Sequence, residues 1–238
     1  MPCGPVTIGR VIETPDGVSV LTSRPDNDNL GDTVSVVWHD KRQISPEQRR
    51  KAHALVGEIC EWAGYYGSAE HTEMNTDLKG RFLQSQADMI VKDMFSLADC
   101  DMTTARNYIT YLIDFVLRHD VPTRVPLIQL CDDIEKYVYA CLMNKKCAVC
   151  GKKAEFHHVD HVGMGRNRRE ICHTGMRGLP LCREHHDQDH VIGEVEFEKL
   201  YHLIPIPVDE KIAKQYKLKH EEEEDGSEQM DDGNSPQC

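Results

Sequence analysis

The spacing Cys147-Ala148-Val149-Cys150, followed by Cys182-Arg183-Glu184-His185, constrains this chain more than any other feature. Two pairs of thiolate or imidazole donors, each with a two-residue gap, form the knuckles that close around tetrahedral zinc. Cys147, Cys150, Cys182 and His185 are therefore expected to hold a structural Zn2+. Such an ion would staple a segment too small to bury a core of its own. Five of the other cysteines, Cys3, Cys60, Cys100, Cys131 and Cys141, are dispersed singly upstream and do not share the pattern. Cys60, Cys131 and Cys141 fall on apolar helical positions, where a thiol behaves as a small buried hydrophobe. With ten cysteines in 238 residues and no signal peptide visible at Met1–Arg10, metal binding in a reducing compartment explains the pairs better than a disulfide framework.

A zinc staple does not account for the histidines. Seven of the thirteen lie between His157 and His190. His186 and His190 are four apart, so on a helix they project from one face and can share an ion. His157 and His158 are adjacent, so on a strand they point to opposite sides. One can join that ion while the other faces a substrate. The pattern describes a strand, a turn and a helix around a second metal, with a free imidazole beside it. An all-histidine site favours zinc, nickel or manganese over magnesium on ligand softness.

Charge bears on what such a site could meet. The net charge of −12 argues against a polyanionic partner until it is divided along the chain. Residues 221–238 hold eight acidic residues and no Lys or Arg; without them the balance is 28 basic against 32 acidic, or −4. Between Asn144 and His190, nine Lys or Arg face six Asp or Glu, a net of +3. A phosphate backbone can be approached there. Arg166, Arg168 and Arg169 lie in a loop with Gly163 and Gly165, which suits nucleic-acid phosphates. No apolar run reaches the roughly 18–20 residues that span a bilayer, so no membrane role is expected, and the cytoplasm is the expected compartment.

Upstream, residues 6–13 and 18–23 are expected as strands around Pro15-Asp16-Gly17, with another β-rich run at 33–38. A helix is expected from Ser45, where Ser45 and Gln48 have capping-box spacing and Pro46 takes the first position, with Gly64 suiting its end. Its Arg49, Arg50 and Lys51 are either a solvated face or a nucleic-acid contact. Residues 72–95 carry a weaker helical pattern. Two amphipathic helices are expected, one over 105–116 capped by Asp101 or Thr103, the other over 127–142 after Pro126. A short helix is expected over 195–203, and an acidic disordered tail at the end.

The segment Cys147–His190 resembles an HNH nuclease domain of the ββα-metal type, through Cys147, Cys150, His157, His158, Cys182, His185, His186 and His190. The string from His157-His158-Val159-Asp160-His161 to Arg166-Asn167-Arg168 is more closely similar to the HNHc nucleases of phages and prophages of Gram-positive bacteria. That likeness covers most of the chain, including Phe95–Thr103. Separately, Ser45–Gly57 resembles the Orf (NinB) recombination proteins of lambdoid phages. The HNH resemblance implies that His157, His186 and His190 bind a catalytic divalent metal (Mg2+, Mn2+, Ni2+ or Zn2+). It implies that His158 is the general base, and that the products carry 5′-phosphate and 3′-hydroxyl ends. One letter departs from the pattern. The middle Asn of the motif falls five residues before the second knuckle, where Arg177 stands; Asn167 and His173 are off register. Arg177 joins the nucleic-acid-binding candidates, and the group that orients the base is left unnamed.

The expected fold class is α+β: N-terminal strands plus amphipathic helices, then a zinc-stapled ββα-metal (HNH) module. The expected organisation is 1–143 as a β/helical domain with an Orf-like DNA-binding region, 144–193 as the nuclease, 194–219 as an extension and 220–238 as the tail. The expected function is hydrolysis of DNA phosphodiesters in phage or prophage recombination or replication, in a bacterial host cell. DNA is the expected partner, with single-stranded-DNA-binding or recombination proteins beside it. The alternative is a non-catalytic zinc-containing single-stranded-DNA-binding recombination mediator, and the sequence does not separate DNA from RNA as substrate.

Overall fold

In a computed structural model, the described residues are 10–14, 17–21, 40–86, 94–160 and 171–220. Strands β1 (Arg10–Thr14) and β2 (Gly17–Leu21) pair antiparallel with Thr14 opposite Gly17, the hairpin expected from the turn sequence. The turn residues Pro15 and Asp16, the run 33–38, the loop 161–170 and the tail 221–238 lie outside the described residues.

The helical part begins as the capping box requires. Helix α1 (Pro46–Trp62) starts after Ser45, whose hydroxyl accepts from Gln48 N at 3.0 Å while Ser45 N donates to Gln48 Oε1 at 3.1 Å. A cap of this kind contributes about 1 kcal/mol. Ala52, Leu55, Val56, Ile59 and Cys60 are wholly buried along one face, as their spacing requires. Helix α2 (Ser68–Ser85) follows, then α3 (Met102–His119). Asp101 rather than Thr103 caps α3, accepting from Thr104 N at 2.8 Å, and the Thr103 hydroxyl donates to Asp40. Helix α1 packs on α3, and α2 touches both.

The basic cluster of α1 serves the fold. Arg49 donates from Nε to Leu97 O at 2.8 Å and from Nη2 to Ala98 O, and Lys51 meets Asp132 at 2.7 Å with both side chains largely buried. Two of the three cations thus close loops onto the helix, while Arg50 stays exposed.

The helix expected over 127–142 is divided. Helix α4 (Leu127–Leu130) ends at Cys131, whose backbone is extended, and α5 (Ile134–Met143) restarts after Asp133. The Asp133 carboxylate accepts from Lys136 N at 3.2 Å and so caps α5. Capping at Asp133 competes with continuing the helix through it, and the Lys51–Asp132 pair holds the break in place.

After α5 come β3 (Glu155–His158), β4 (Arg177–Leu181), α6 (Arg183–Ile192), α7 (Glu194–Tyr201), β5 (Ile206–Pro207) and α8 (Glu210–Tyr216). The three strands form an antiparallel sheet in the order β3-β4-β5, with His157 opposite Leu179 and His158 opposite Gly178. Gly178, Leu179, Pro180 and Leu181 are all buried, because α5 packs against β4 and α6 reaches it too. Helix α8, which the sequence pattern did not suggest, also packs on α5. The protein is α+β, and its buried apolar cluster runs from Ile44 on the helical side to Ala213 in α8. Among the described residues no helix is long and apolar enough to cross a membrane.

Candidate metal centres

The two knuckles meet as their spacing demands. Cys147 N donates to Lys152 O at 2.7 Å and Gly151 N to Cys147 O at 2.9 Å, which folds the first knuckle into a tight turn. Ala148 ties that turn to the sheet, donating to Pro180 O at 3.0 Å, and its carbonyl accepts from Tyr137 Oη of α5 at 2.8 Å. The second knuckle runs from the end of β4 into α6, with Cys182 at the N-cap and His185 in the first turn.

Donor atoms of Cys147, Cys150, Cys182 and His185 lie within 4.8 Å of one another. Cys150 Sγ is 3.7 Å from Cys182 Sγ, and His185 Nδ1 is 3.5 Å from Cys147 Sγ and 3.1 Å from Cys182 Sγ. Tetrahedral zinc, with Zn–S near ~2.3 Å and Zn–N near ~2.0 Å, needs S···S edges of about 3.8 Å and S···N edges of about 3.5 Å. The residues present fit that ion. Burial pushes the Cys150 thiol up to about 12. Cys182 lies below the usual thiol value: burial opposes its ionisation most strongly, but the backbone N–H of His185, the thiols of Cys150 and Cys147 and the backbone N–H of Glu184 together outweigh it. A thiolate at a helix N-terminus is stabilised in this way. Lys152 and Glu184 join the two knuckles on the outside, at 2.9 Å.

The second cluster forms where β3 faces α6. His157, His186 and His190 also bring ligand atoms within 4.8 Å of one another. The ring centroids of His186 lie 4.6 Å from those of both His157 and His190, and His157 is 5.4 Å from His190. His157 is almost wholly buried, His186 half-buried and His190 exposed, so the set opens to solvent on one side. Burial, with His190 nearby, lowers the pKa of His186, which favours the neutral imidazole that a metal needs. Three imidazoles with a solvent-facing side suit a transition ion that keeps open positions.

Sequence reasoning missed Asp189. Its Oδ2 lies 2.9 Å from His157 Nε2, and both side chains are 3% exposed. Burial raises the Asp189 carboxyl pKa, while His190 and His186 pull it back. The residue stood between two histidines as one more polar position of α6, and no spacing rule singles it out.

His158 takes the other side of β3, as strand alternation requires. Its ring contacts Phe156, two residues back on that face, at 4.7 Å between centroids, and His173 at 5.0 Å. His173 is buried and fixed by the C-terminal extension: its N donates to Lys219 O at 2.8 Å, and Nδ1 is 3.2 Å from that oxygen. A carbonyl only accepts, so Nδ1 of His173 carries the proton. Off register in sequence, His173 is beside the base candidate in space.

Arg177 occupies the position of the missing Asn and is held. Its Nε and Nη2 donate to Asp160 Oδ1 at 3.0 and 2.7 Å, and its N donates to Asp160 Oδ2 at 2.6 Å. Its carbonyl accepts from Val159 N at 3.0 Å. The guanidinium remains about half exposed, so its outer edge can still face an anion. Arg166, Arg168 and Arg169 lie outside the described residues.

Comparison with known proteins gives one finding. The family described as "Putative HNHc nuclease" matches residues 20–219, the greater part of the chain. No curated protein and no solved structure matches.

Proposed function

Because the chain belongs to the HNHc nuclease family, we propose that it is a metal-dependent endonuclease that hydrolyses DNA phosphodiester bonds at a ββα-metal site made of β3, β4 and α6. The observation that carries this reading is the division of labour at adjacent positions: His157 faces His186 and His190, while His158 faces away beside Phe156 and His173. A zinc staple alone requires neither arrangement.

His157, His186 and His190 would hold the catalytic ion, and Cys147, Cys150, Cys182 and His185 a structural zinc. When bound, the catalytic ion supplies positive charge at the scissile phosphate and at the departing oxygen. His158 accepts the proton of the attacking water, a task suited to an imidazole whose ordinary pKa is near neutrality. His173 fixes the surroundings of that ring. Arg177 and the loop arginines Arg166, Arg168 and Arg169 contact phosphates and set the register of the substrate. The acidic tail limits affinity for nucleic acid. The setting proposed is phage or prophage recombination or replication in the cytoplasm of a bacterial host, with 144–193 as the nuclease module and 1–143 as the domain that presents it.

Plasmid nicking with Mg2+, Mn2+, Ni2+ or Zn2+, comparing the parent with His158→Ala, tests the proposal. Metal-dependent nicking that the variant loses supports it. A parent that binds DNA and cuts with none of these ions would leave a binding module instead.

A further inference from the structure

We propose that the groove between α1 and α2 is a second contact for the DNA phosphate backbone, made by Arg49, His53, His71 and Lys79. The proposal rests on DNA as the substrate and adds a binding surface outside the nuclease module.

The four side chains come from two matched rows. Arg49, His53 and Gly57 follow at four-residue steps on α1, and His71, Asn75 and Lys79 do so on α2. Each row therefore lies along one helix face, and the two helices pack together. The His71 ring lies across Gly57, where an added Cβ would sit 3.5 Å from Nε2. At the other end Arg49 donates to Leu97 O and Ala98 O, and Lys79 Nζ stands 5.2 Å from the ring centroid of Phe95 in the same segment. His53 is exposed. Burial, and then the charges of Lys79, His71 and Arg49, lower its pKa, so all three neighbours reach it.

This patch lacks counter-charge. No carboxylate is among the groups that act on His53 or Lys79, and the acceptors of Arg49 are carbonyls, which leave its charge intact. Among the described residues none of the four forms an ion pair. That runs against the composition, since 40 acidic residues outnumber 28 basic ones. Lys51, Arg81, Arg118 and Arg124 each meet a carboxylate. The acids Glu73 and Asp77 of α2 lie together on another face, beside Ala69 and Thr76. Like charges gathered without a counter-ion destabilise the fold, and an arriving anion relieves that strain. Two permanent cations and two imidazole donors suit phosphate oxygens. Each row covers eight residue steps, about 12 Å of helix. That is longer than one phosphate group, so the patch fits a chain of them.

Fluorescence anisotropy with labelled duplex DNA across a salt series, without added divalent ion, tests this on the full-length zinc-loaded protein. The set is the parent, Lys79→Gln, His53→Glu and Arg81→Gln. Lys79→Gln is expected to weaken binding and to lower the slope of log affinity against log salt by about 1. His53→Glu sets a carboxylate before Arg49 and Lys79. It is expected to weaken binding at least as much while its Tm stays at or above that of the parent, which a merely structural role would not produce. Because His53 is exposed, this variant reads the patch even where Lys79→Gln perturbs the packing on Phe95. Arg81→Gln removes the same charge from α2 across the helix, where Arg81 pairs with Asp77, and is expected to keep the parent slope. Parent-like affinity and slope in Lys79→Gln and His53→Glu overturn the proposal and leave the nuclease reading standing. An equal fall in Arg81→Gln also overturns it, since net charge alone would then be read. Tighter DNA binding in both patch variants would mean that the groove holds the acidic residues 221–238 instead, and overturns it too. A parent that binds no DNA removes the DNA reading and this proposal together.

Discussion

Phe156 and Gly178 are diagonal neighbours across the β3–β4 pair, and a Cβ placed on Gly178 would lie 2.1 Å from Phe156 Cζ. The tip of the ring fills the space that any side chain at residue 178 would need. From there it reaches His158 at 4.7 Å and Tyr216 of α8 at 5.4 Å. Phe156 is therefore the wall against which the base candidate rests, and Gly178 is the reason it can stand so close. Gly178→Ala should destabilise the protein by about 1–3 kcal/mol, the range for overpacking a tight site. Urea unfolding measures it. Combining it with Phe156→Ala should recover part of the loss, because the clash partner is gone. Equal stability of Gly178→Ala and parent would contradict this packing.

Removal of the structural ion should be a folding event. The knuckles connect β4, α6 and, through Tyr137 and Ala148, α5. Cys150→Ser is expected to lose one equivalent of zinc and the cooperative unfolding of the C-terminal module, read by metal analysis and circular dichroism. Zinc uptake should also release protons, since Cys150 begins as a thiol with its pKa pushed up to about 12 and must bind as a thiolate. Zinc affinity should consequently fall as pH is lowered. A variant with normal zinc content would remove the assignment.

Much of this was legible in the sequence, and what was missed has a common cause. The Ser45–Gln48 box, the apolar stripes of α1 and α3 and both knuckles are local patterns, and each forms as its spacing required. The break at 131–133 was hidden because the apolar stripe continues through it; what decides it is Asp133 capping α5 and Lys51 reaching Asp132 from another helix. The basic cluster of α1 looked free for the same reason, since its acceptors Leu97 O and Ala98 O belong to a distant loop. His173 and Asp189 enter the site by contacts between elements, which no periodicity records.

The two ends of the C-terminal segment should behave oppositely when removed. Truncation after His220 deletes eight acidic residues and no Lys or Arg, so DNA binding should tighten at low salt, with the gain shrinking as salt screens it. Truncation after Tyr216 also deletes Lys219, whose carbonyl holds His173. That longer truncation should lower the cleavage rate while leaving Ni2+ affinity at the three histidines near that of the parent. Gel-shift titration and single-turnover cleavage on the two truncations check both claims. If the two cleave equally fast, the Lys219–His173 contact does not serve the base.

His157 and His158 should fail differently although they are adjacent. His157 is buried against α6, within 4.8 Å of the donor atoms of His186 and His190. Its replacement by Ala removes a ligand, so metal affinity and cleavage should fall together, with part of the rate recovered at high metal concentration. His158 lies on the opposite face with Phe156 and His173, away from that cluster. His158→Ala should leave metal and DNA binding near the parent values while single-turnover cleavage drops by roughly 100-fold or more, the usual contribution of a general base. Excess metal should not restore it, because no ligand has been lost. Strand alternation keeps the two phenotypes apart, since neither ring can swing through the sheet to replace the other. Calorimetry beside single-turnover rates reads both in one preparation. If His158→Ala lost metal affinity as His157→Ala does, the two rings would share one site, and the assignment of base and ligand to opposite faces of β3 would fall.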